Sequence, residues 1–450
     1  MESLWRMQTG AIEPTKDKEE TRTREDEKLD VIVLGAGMAG ILIAYYLKEQ
    51  GKKVLVLEAD RIGGGQTENT TAKITSQHGL CYHSFMKTMG VKKARLYAKA
   101  NEMAIKEYEK LIKEKKINCH FERGPAYLYS TEQEAVPLLR AEAKAATKLG
   151  IDAFFTTDTE LPFAITGAVC FRHQAQFAPL EFVKRLSQEL EIIEKEQVLK
   201  IRGNYVFTKN KTWFADKIVV ATHYPLKNVP GFYFLRQHQE RSYVLALSDC
   251  EKIRGMYLGI DKDGLSFRQA GEHLLLGGCS HRTGRLGCEG AYEKLRIAAR
   301  KHYPSSVEVA HWSAQDCMPH DKIPFIGKYS IFTPNLYVAT GFQKWGMTSA
   351  MIAAQIIRDD ICKTENPYKK LFSPQRIMVR AGMKNFGIDV GESTKGIFRG
   401  TFFNKNPRCT HMGCELKWNP NEQSWDCPCH GSRFMRDGQL KDNPAKKPLN

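Results

Sequence analysis

Three glycines set between an apolar strand and an apolar helix constrain this 450-residue chain more than any other feature. Gly35-Ala36-Gly37-Met38-Ala39-Gly40 follows the run Asp30–Leu34 and opens the segment Met38–Gln50, which ends at Gly51. The spacing predicts that Gly35 makes a tight turn, that Gly37 lets a pyrophosphate approach the backbone, and that Gly40 lets helix and strand pack closely. The helix N-terminus then offers free N–H groups and a positive dipole end to phosphate. Val54–Glu58 reads as a second buried strand, so the unit is β–α–β and implies a parallel sheet. The apolar run Val31–Leu47 is too short and too glycine-rich for a membrane span. Glu58 stands about 20 residues beyond the motif, where an acid bonds ribose hydroxyls.

The motif alone does not separate FAD from NAD. Two further stretches favour FAD. Ala59, Arg61, Gly64, Gly65 and Thr67 follow the acid directly and form a second glycine-rich loop, continued by Thr70, Thr71, Ala72, Lys73 and His78. Much later, the buried strand Leu336–Ala339 leads through Gly341-Phe342-Gln343-Lys344-Trp345-Gly346 into a helix starting near Met347. A helix N-terminus aimed at the ring would stabilise a reduced, anionic flavin.

From about Asp30 to Asp359 the chain resembles the amine and amino-acid oxidase group of FAD proteins, which includes glycine and sarcosine oxidases. The resemblance rests on Val31–Gly40, Glu58-Ala59-Asp60-Arg61, Asp321-Lys322-Ile323-Pro324-Phe325-Ile326-Gly327 and Ala339-Thr340-Gly341. It implies a discontinuous FAD domain, an inserted α+β substrate domain, and oxidation of a C–N bond by hydride transfer to flavin. Members of the group commonly hold the substrate carboxylate with an arginine. Aligning Trp312 and Asp321 puts Asp316 at that position. An aspartate pairs with an ammonium rather than a carboxylate, which favours a cationic amine over an α-amino acid; the alternative is that Asp316 only caps a turn. Asp316, Lys344 and His281 are the candidate catalytic residues. His223 reads as a capping or packing residue, and Cys317 as a buried thiol rather than a flavin attachment point.

Near the C-terminus, Cys409-Thr410-His411-Met412-Gly413-Cys414 precedes Cys427-Pro428-Cys429-His430-Gly431-Ser432. Two Cys and two His at C-x-H and C-x-x-H spacing suit a Rieske [2Fe–2S] centre, with thiolates on one iron and imidazoles on the other. A Cys₂His₂ zinc site is the competing assignment, although zinc-finger spacing differs. Both loops resemble the Rieske family. That resemblance implies Cys409 and Cys427 on one iron, His411 and His430 on the other, and a disulfide between Cys414 and Cys429. It also implies that Ser432 hydrogen-bonds the cluster. Such a disulfide is unusual in a reducing compartment. The domain looks shortened, with little room for strands before its first loop.

The other eight of the twelve cysteines are scattered. The net charge is +16, and residues 366–450 carry fifteen Lys and Arg against seven Asp and Glu. Such a basic region serves either to steer an acidic electron carrier or simply to keep the protein soluble. No recognised nucleic-acid motif accompanies it. Residues 1–28 read as a polar lead-in without a signal peptide, which points to the cytoplasm.

The expected architecture is α/β, with an FAD-binding Rossmann-like domain, its inserted domain, and a small all-β Rieske domain. The FAD domain is placed at 29–80, 167–230 and 312–365, and the substrate domain at 81–166 and 231–311. A linker at 366–394 leads to the Rieske domain at 395–450. The expected function is oxidation of an amine or amino-acid-like substrate, with electrons leaving through the cluster to an external acceptor. One alternative is an NAD(P)H-driven reductase, which needs a second G-x-G-x-x-G that the chain lacks. The other is a non-catalytic redox sensor or electron-transfer module.

Overall fold

A computed structural model describes residues 2–14, 28–285, 289–376 and 406–449. Its first sheet runs in the order Phe325–Lys328, Leu336–Thr340, Thr212–Val220, Leu29–Leu34, Val54–Leu57, Glu191–Ile193. The last five strands are parallel, and Phe325–Lys328 is antiparallel to its neighbour. Both faces are covered, which explains why the strands read as unbroken apolar runs. Alternate residues serve different cores. Val31, Val33, Val56 and Val219 join a core that includes the helices Met38–Lys48 and Gly346–Ile361. Ile32, Leu34, Leu55, Ile218 and Val220 join a second core, with Trp213, Tyr233 and Phe325.

The second sheet has nine strands, in the order Val307–Pro319, Gln237–Ser248, His273–Arg282, Ser266–Ala270, Met256–Gly259, Glu122–Ser130, Gly167–Gln176, Lys73–Ile74. Ala153–Thr156 pairs with Gly167–Gln176 off this path. The boundary expected at 312 falls inside a strand of this sheet, and the one at 167 opens another. Lys73–Ile74, placed with the FAD segments, pairs here as well. Strand pairing, not position in the chain, decides which layer these segments join.

Two expectations for the connecting segments change. In the polar lead-in, Leu4–Thr9 is a helix capped by Ser3. Its Trp5 is buried and donates to the Thr70 carbonyl at 2.7 Å, and Arg6 pairs with Glu68 at 2.8 Å. In the linker, Lys369–Phe372 forms a short helix whose Phe372 is buried and stacks on Tyr97. Arg376 then binds both carboxylate oxygens of Asp321, at 2.8 and 2.9 Å. Residues 377–394 of the linker and 395–405 of the expected Rieske domain lie outside the described residues.

The C-terminal part is a four-stranded antiparallel meander, Lys417–Asn419, Ser424–Asp426, Arg433–Met435 and Leu440–Asp442. It is fastened to the second sheet by buried charge. Arg433 contacts Asp426 at 3.1 Å, Glu422 at 3.1 Å and Asp442 at 2.9 Å. Arg241, from the second sheet, stands 3.8–4.0 Å from the same three carboxylates. Removing one partner from such a network leaves an uncompensated buried charge.

Candidate functional site

The dinucleotide loop owes its shape to its glycines. Gly35 has φ +102°, and a Cβ on Gly40 would lie 1.8 Å from the Gly35 carbonyl oxygen. Only hydrogen at position 40 lets the helix start against the strand. Gly37 precedes the first helical residue without a side-chain cap, and the Thr67 hydroxyl accepts from Met38 N at 2.9 Å instead. Glu58 accepts from Ala36 N at 2.7 Å and from Asp60 N at 2.8 Å. Burial pushes its carboxyl up, against those two donors.

A cavity of about 980 Å³ opens from this loop. It reaches Gly64, Gly65, Thr67 and Thr71, then the N-terminus of the helix Gly346–Ile361, then Ser242, Ser266, Gly277 and Gly278 of the second sheet. Gly35, Gly37, Met38, Ala39, Glu58, Ala59, Gly341, Gln343, Lys344, Trp345, Gly346 and Met347 all line it. A volume near 1,000 Å³ suits a large cofactor. The cradle fits FAD: a Cβ on Gly37 would close to 3.0 Å of the Thr67 hydroxyl at the helix N-terminus, the kind of place that takes a diphosphate.

Several candidates stand elsewhere. Gly40 packs under the loop and does not line the cavity. Arg61 turns to Glu68 at 3.0 Å. Ala72 is buried at φ +54°. His281 also misses the cavity: its ring stacks on Tyr243 and its Nδ1 sits 3.2 Å from the Cys279 carbonyl. Strand alternation sends Ser280 to the cavity and His281 to the opposite face. His78 is buried between Tyr97 Oη and the Thr75 carbonyl, and burial lowers its pKa to about 3. Cys317 is buried, with Sγ 3.4 Å from His223 Nε2.

Asp316 and Lys344 do line the cavity. Burial pushes the Asp316 carboxyl up to about 7, helped by Glu240 and opposed by Lys344. Lys344 donates to Ser242 Oγ at 3.1 Å and lies 3.6 Å from Glu240. Lys73 also reaches the cavity and donates to Ser266 Oγ at 2.6 Å and the Tyr257 carbonyl at 3.0 Å. Burial, then Arg268, lowers its amine to about 7. Ser242 and Ser266 were not legible as site residues, because no local motif marks a sheet floor.

The C-terminal loops bring together two thiols and two imidazoles. A hydrogen bond from Cys427 holds the Cys409 thiol below its ordinary value, to about 7. The rings of His411 and His430 are 5.0 Å apart and nearly perpendicular. Nδ1 of His411 is buried and meets no hydrogen-bond partner among the described residues, while its Nε2 lies 3.0 Å from Asn228 Oδ1. A buried ring nitrogen without a partner and a pair of thiols, supplied by the same two loops, are donor types that fit an iron–sulfur cluster. Cys414 and Cys429 form a disulfide between the two loops, and Ser432 Oγ accepts from Ala445 N at 3.0 Å.

Residues 30–359 match the family described as FAD dependent oxidoreductase, and residues 377–450 match the Rieske [2Fe-2S] domain. The chain belongs to the FAD-dependent oxidoreductase family. It is an oxidoreductase whose cofactors are FAD and a Rieske [2Fe–2S] cluster. YhfW of Bacillus subtilis (strain 168), named for a Rieske 2Fe-2S iron–sulfur centre, is 36% identical across 95% of this chain and 94% of its own length. In fold, the chain is similar to glycine oxidase from Geobacillus kaustophilus, at TM-score 0.67 and 18% identity, covering 78% of this chain and 99% of that one. It is likewise similar to L-proline dehydrogenase from P. horikoshii, at TM-score 0.65 and 16% identity, covering 78% and 98%. No helix among the described residues is long and apolar enough to cross a membrane.

Proposed function

We propose that the protein oxidises the C–N bond of a small amine or amino-acid-like substrate and passes the electrons through the Rieske cluster to an external, acidic acceptor. The observation that carries this reading is a shared wall. The cavity lined by the dinucleotide loop is also lined by Leu440, Asp442, Asn443 and Ala445 of the C-terminal part. Asn443 Nδ2 donates at 2.8 Å to the carbonyl of Thr222, another lining residue. A redox centre placed against the flavin cavity makes sense as its electron outlet.

In this reading the diphosphate lies against the Gly35–Gly40 turn at the N-terminus of the helix that starts at Met38. Glu58 takes the ribose, and the helix starting at Gly346 faces the ring. FAD, when bound, supplies the hydride-accepting centre. Asp316 orients the substrate ammonium, and Lys344 is held back from it by Glu240. Cys409 and Cys427 bind one iron, and His411 and His430 the other. In this reading the chain has FAD-binding, substrate and Rieske parts, and Lys73–Ile74, Gly167–Gln176 and Val307–Pro319 go with the second sheet by their strand pairing. The two solved structures named for glycine oxidase and L-proline dehydrogenase support a C–N substrate. The +16 net charge supports an acidic acceptor.

The test is anaerobic mixing of the holoprotein with a panel of amines and amino acids. The reading expects one class to bleach the flavin and then to raise the EPR signal of the reduced cluster. Flavin that no C–N substrate bleaches, but NAD(P)H does, would replace it with the reductase alternative.

A further inference from the structure

Gln239 and Gln315 sit on neighbouring strands of the second sheet and are 2% and 1% exposed. Neither belongs to a motif. Gln315 Nε2 donates to Gln239 Oε1 at 2.6 Å and to the Gly431 carbonyl at 2.8 Å. Gln239 Nε2 donates to the His430 carbonyl at 2.6 Å. Gln315 Oε1 accepts from Thr283 Oγ1 at 3.1 Å and from Arg241. Two successive carbonyls of a cluster loop are therefore taken by one pair of buried carboxamides.

The other side of the same strand is the cavity wall. Ala314 and Asp316 line the cavity, and Gln315 between them faces the cluster loop. The backbone N–H of Gln315 donates at 2.6 Å to Gln66 Oε1, and Gln66 lines the cavity too. Gly431 allows the close approach. It has φ +82°, and a Cβ there would lie 2.7 Å from Gln239 Cβ. One strand's thickness separates the cavity from the loop. Shifting that loop would strand several buried polar groups without partners.

We propose that Gln239 and Gln315 are positioning residues that hold the His430–Gly431 loop on the outer face of the flavin cavity wall, as a fixed junction for electron transfer with no domain swing. The inference rests on the outlet reading above. Across the junction electrons pass singly: reduced flavin loses one, a ferric iron of the cluster becomes ferrous, and no bond forms between the centres.

Light with EDTA as donor reduces the bound flavin of the anaerobic holoprotein, and rapid-freeze EPR follows the cluster. In wild type the cluster should be reduced after the flavin, at a rate unchanged by sucrose viscosity. In Gln315→Met and Gln239→Met that rate, taken on the cluster-loaded fraction, should fall about tenfold, as expected when a positioned constellation loosens. Flavin photoreduction and cluster g-values should stay as in wild type. Wild-type rates in both variants, or a viscosity-dependent wild-type rate, would overturn the inference. A wild-type cluster that stays oxidised beside bleached flavin would instead sink the outlet reading. Because the two glutamines hold different carbonyls, a variant that loses its cluster leaves the other to decide.

Discussion

Asn228 Oδ1 accepts a hydrogen bond from His411 Nε2 at 3.0 Å, joining residues 183 positions apart. Asn228 follows the first-sheet strand Thr212–Val220, and His411 lies in the first cluster loop. If Nδ1 is the proposed iron ligand, this bond would fix which ring nitrogen is free to bind, a role that outer partners of metal-bound histidines commonly play. Asn228→Ala should lower the stability of the cluster-bearing part by about 0.5–1.5 kcal/mol, the net worth of one hydrogen bond. Loss of Rieske absorbance on heating checks it, and an unchanged transition would show the contact to be incidental.

The glycines of the first loop should separate by role. Gly37→Val should fold yet purify without FAD, because its side chain would occupy the phosphate approach. Gly40→Ala should fail to fold, because its Cβ would meet the Gly35 carbonyl oxygen at 1.8 Å. Flavin absorbance per protein and circular dichroism distinguish the two. FAD at normal occupancy in Gly37→Val would move the cofactor elsewhere.

Asp316 gives a pH dependence. Its carboxyl is pushed up to about 7, chiefly by burial. The ionised form that binds an ammonium therefore grows as pH rises through about 7, and KM for a cationic amine should fall over that range. The raised value also means that the folded state binds this proton more tightly than the unfolded chain does. Its stabilising contribution is present below the ordinary aspartate range and is lost as pH rises through about 7. Asp316→Asn should flatten both profiles and weaken kcat/KM by about 1.5–3 kcal/mol. A KM that does not respond would retire the ammonium site.

His430→Ala removes one proposed iron ligand and should abolish the Rieske EPR signal. Flavin bleaching by substrate should persist, because the cavity's dinucleotide loop lies in another part of the chain. Turnover with the external acceptor should collapse. Full turnover without the cluster would take it off the electron path.

High ionic strength should slow the last step, from cluster to acceptor, while leaving flavin bleaching unchanged. Screening shortens the reach of the basic C-terminal region to about 3 Å at 1 M salt. Stopped-flow traces with and without added salt separate the two steps. Equal salt effects on both would argue against an acidic partner.

What sequence alone determined lies within short stretches of chain. Gly35, Gly37 and Gly40 act through contacts a few residues long, so spacing reveals turn, approach and packing at once. The Cys–His pairs work the same way, because each loop supplies two donors by itself. The unbroken apolar strands announced a sheet covered on both faces. Tertiary structure decided the rest. His281 was assigned to the cavity from its place after Gly277-Gly278, yet strand register turns it onto Tyr243. Gln239, Gln315 and Arg241 carry no signal of their own, since a buried polar side chain shows its use only once its partners are in place. Those partners are Gly431, His430 and Asp426, between 116 and 191 residues away for the two glutamines. Contacts at that range depend on how sheets stack and on which buried groups must find a partner, and neither is written in any local pattern.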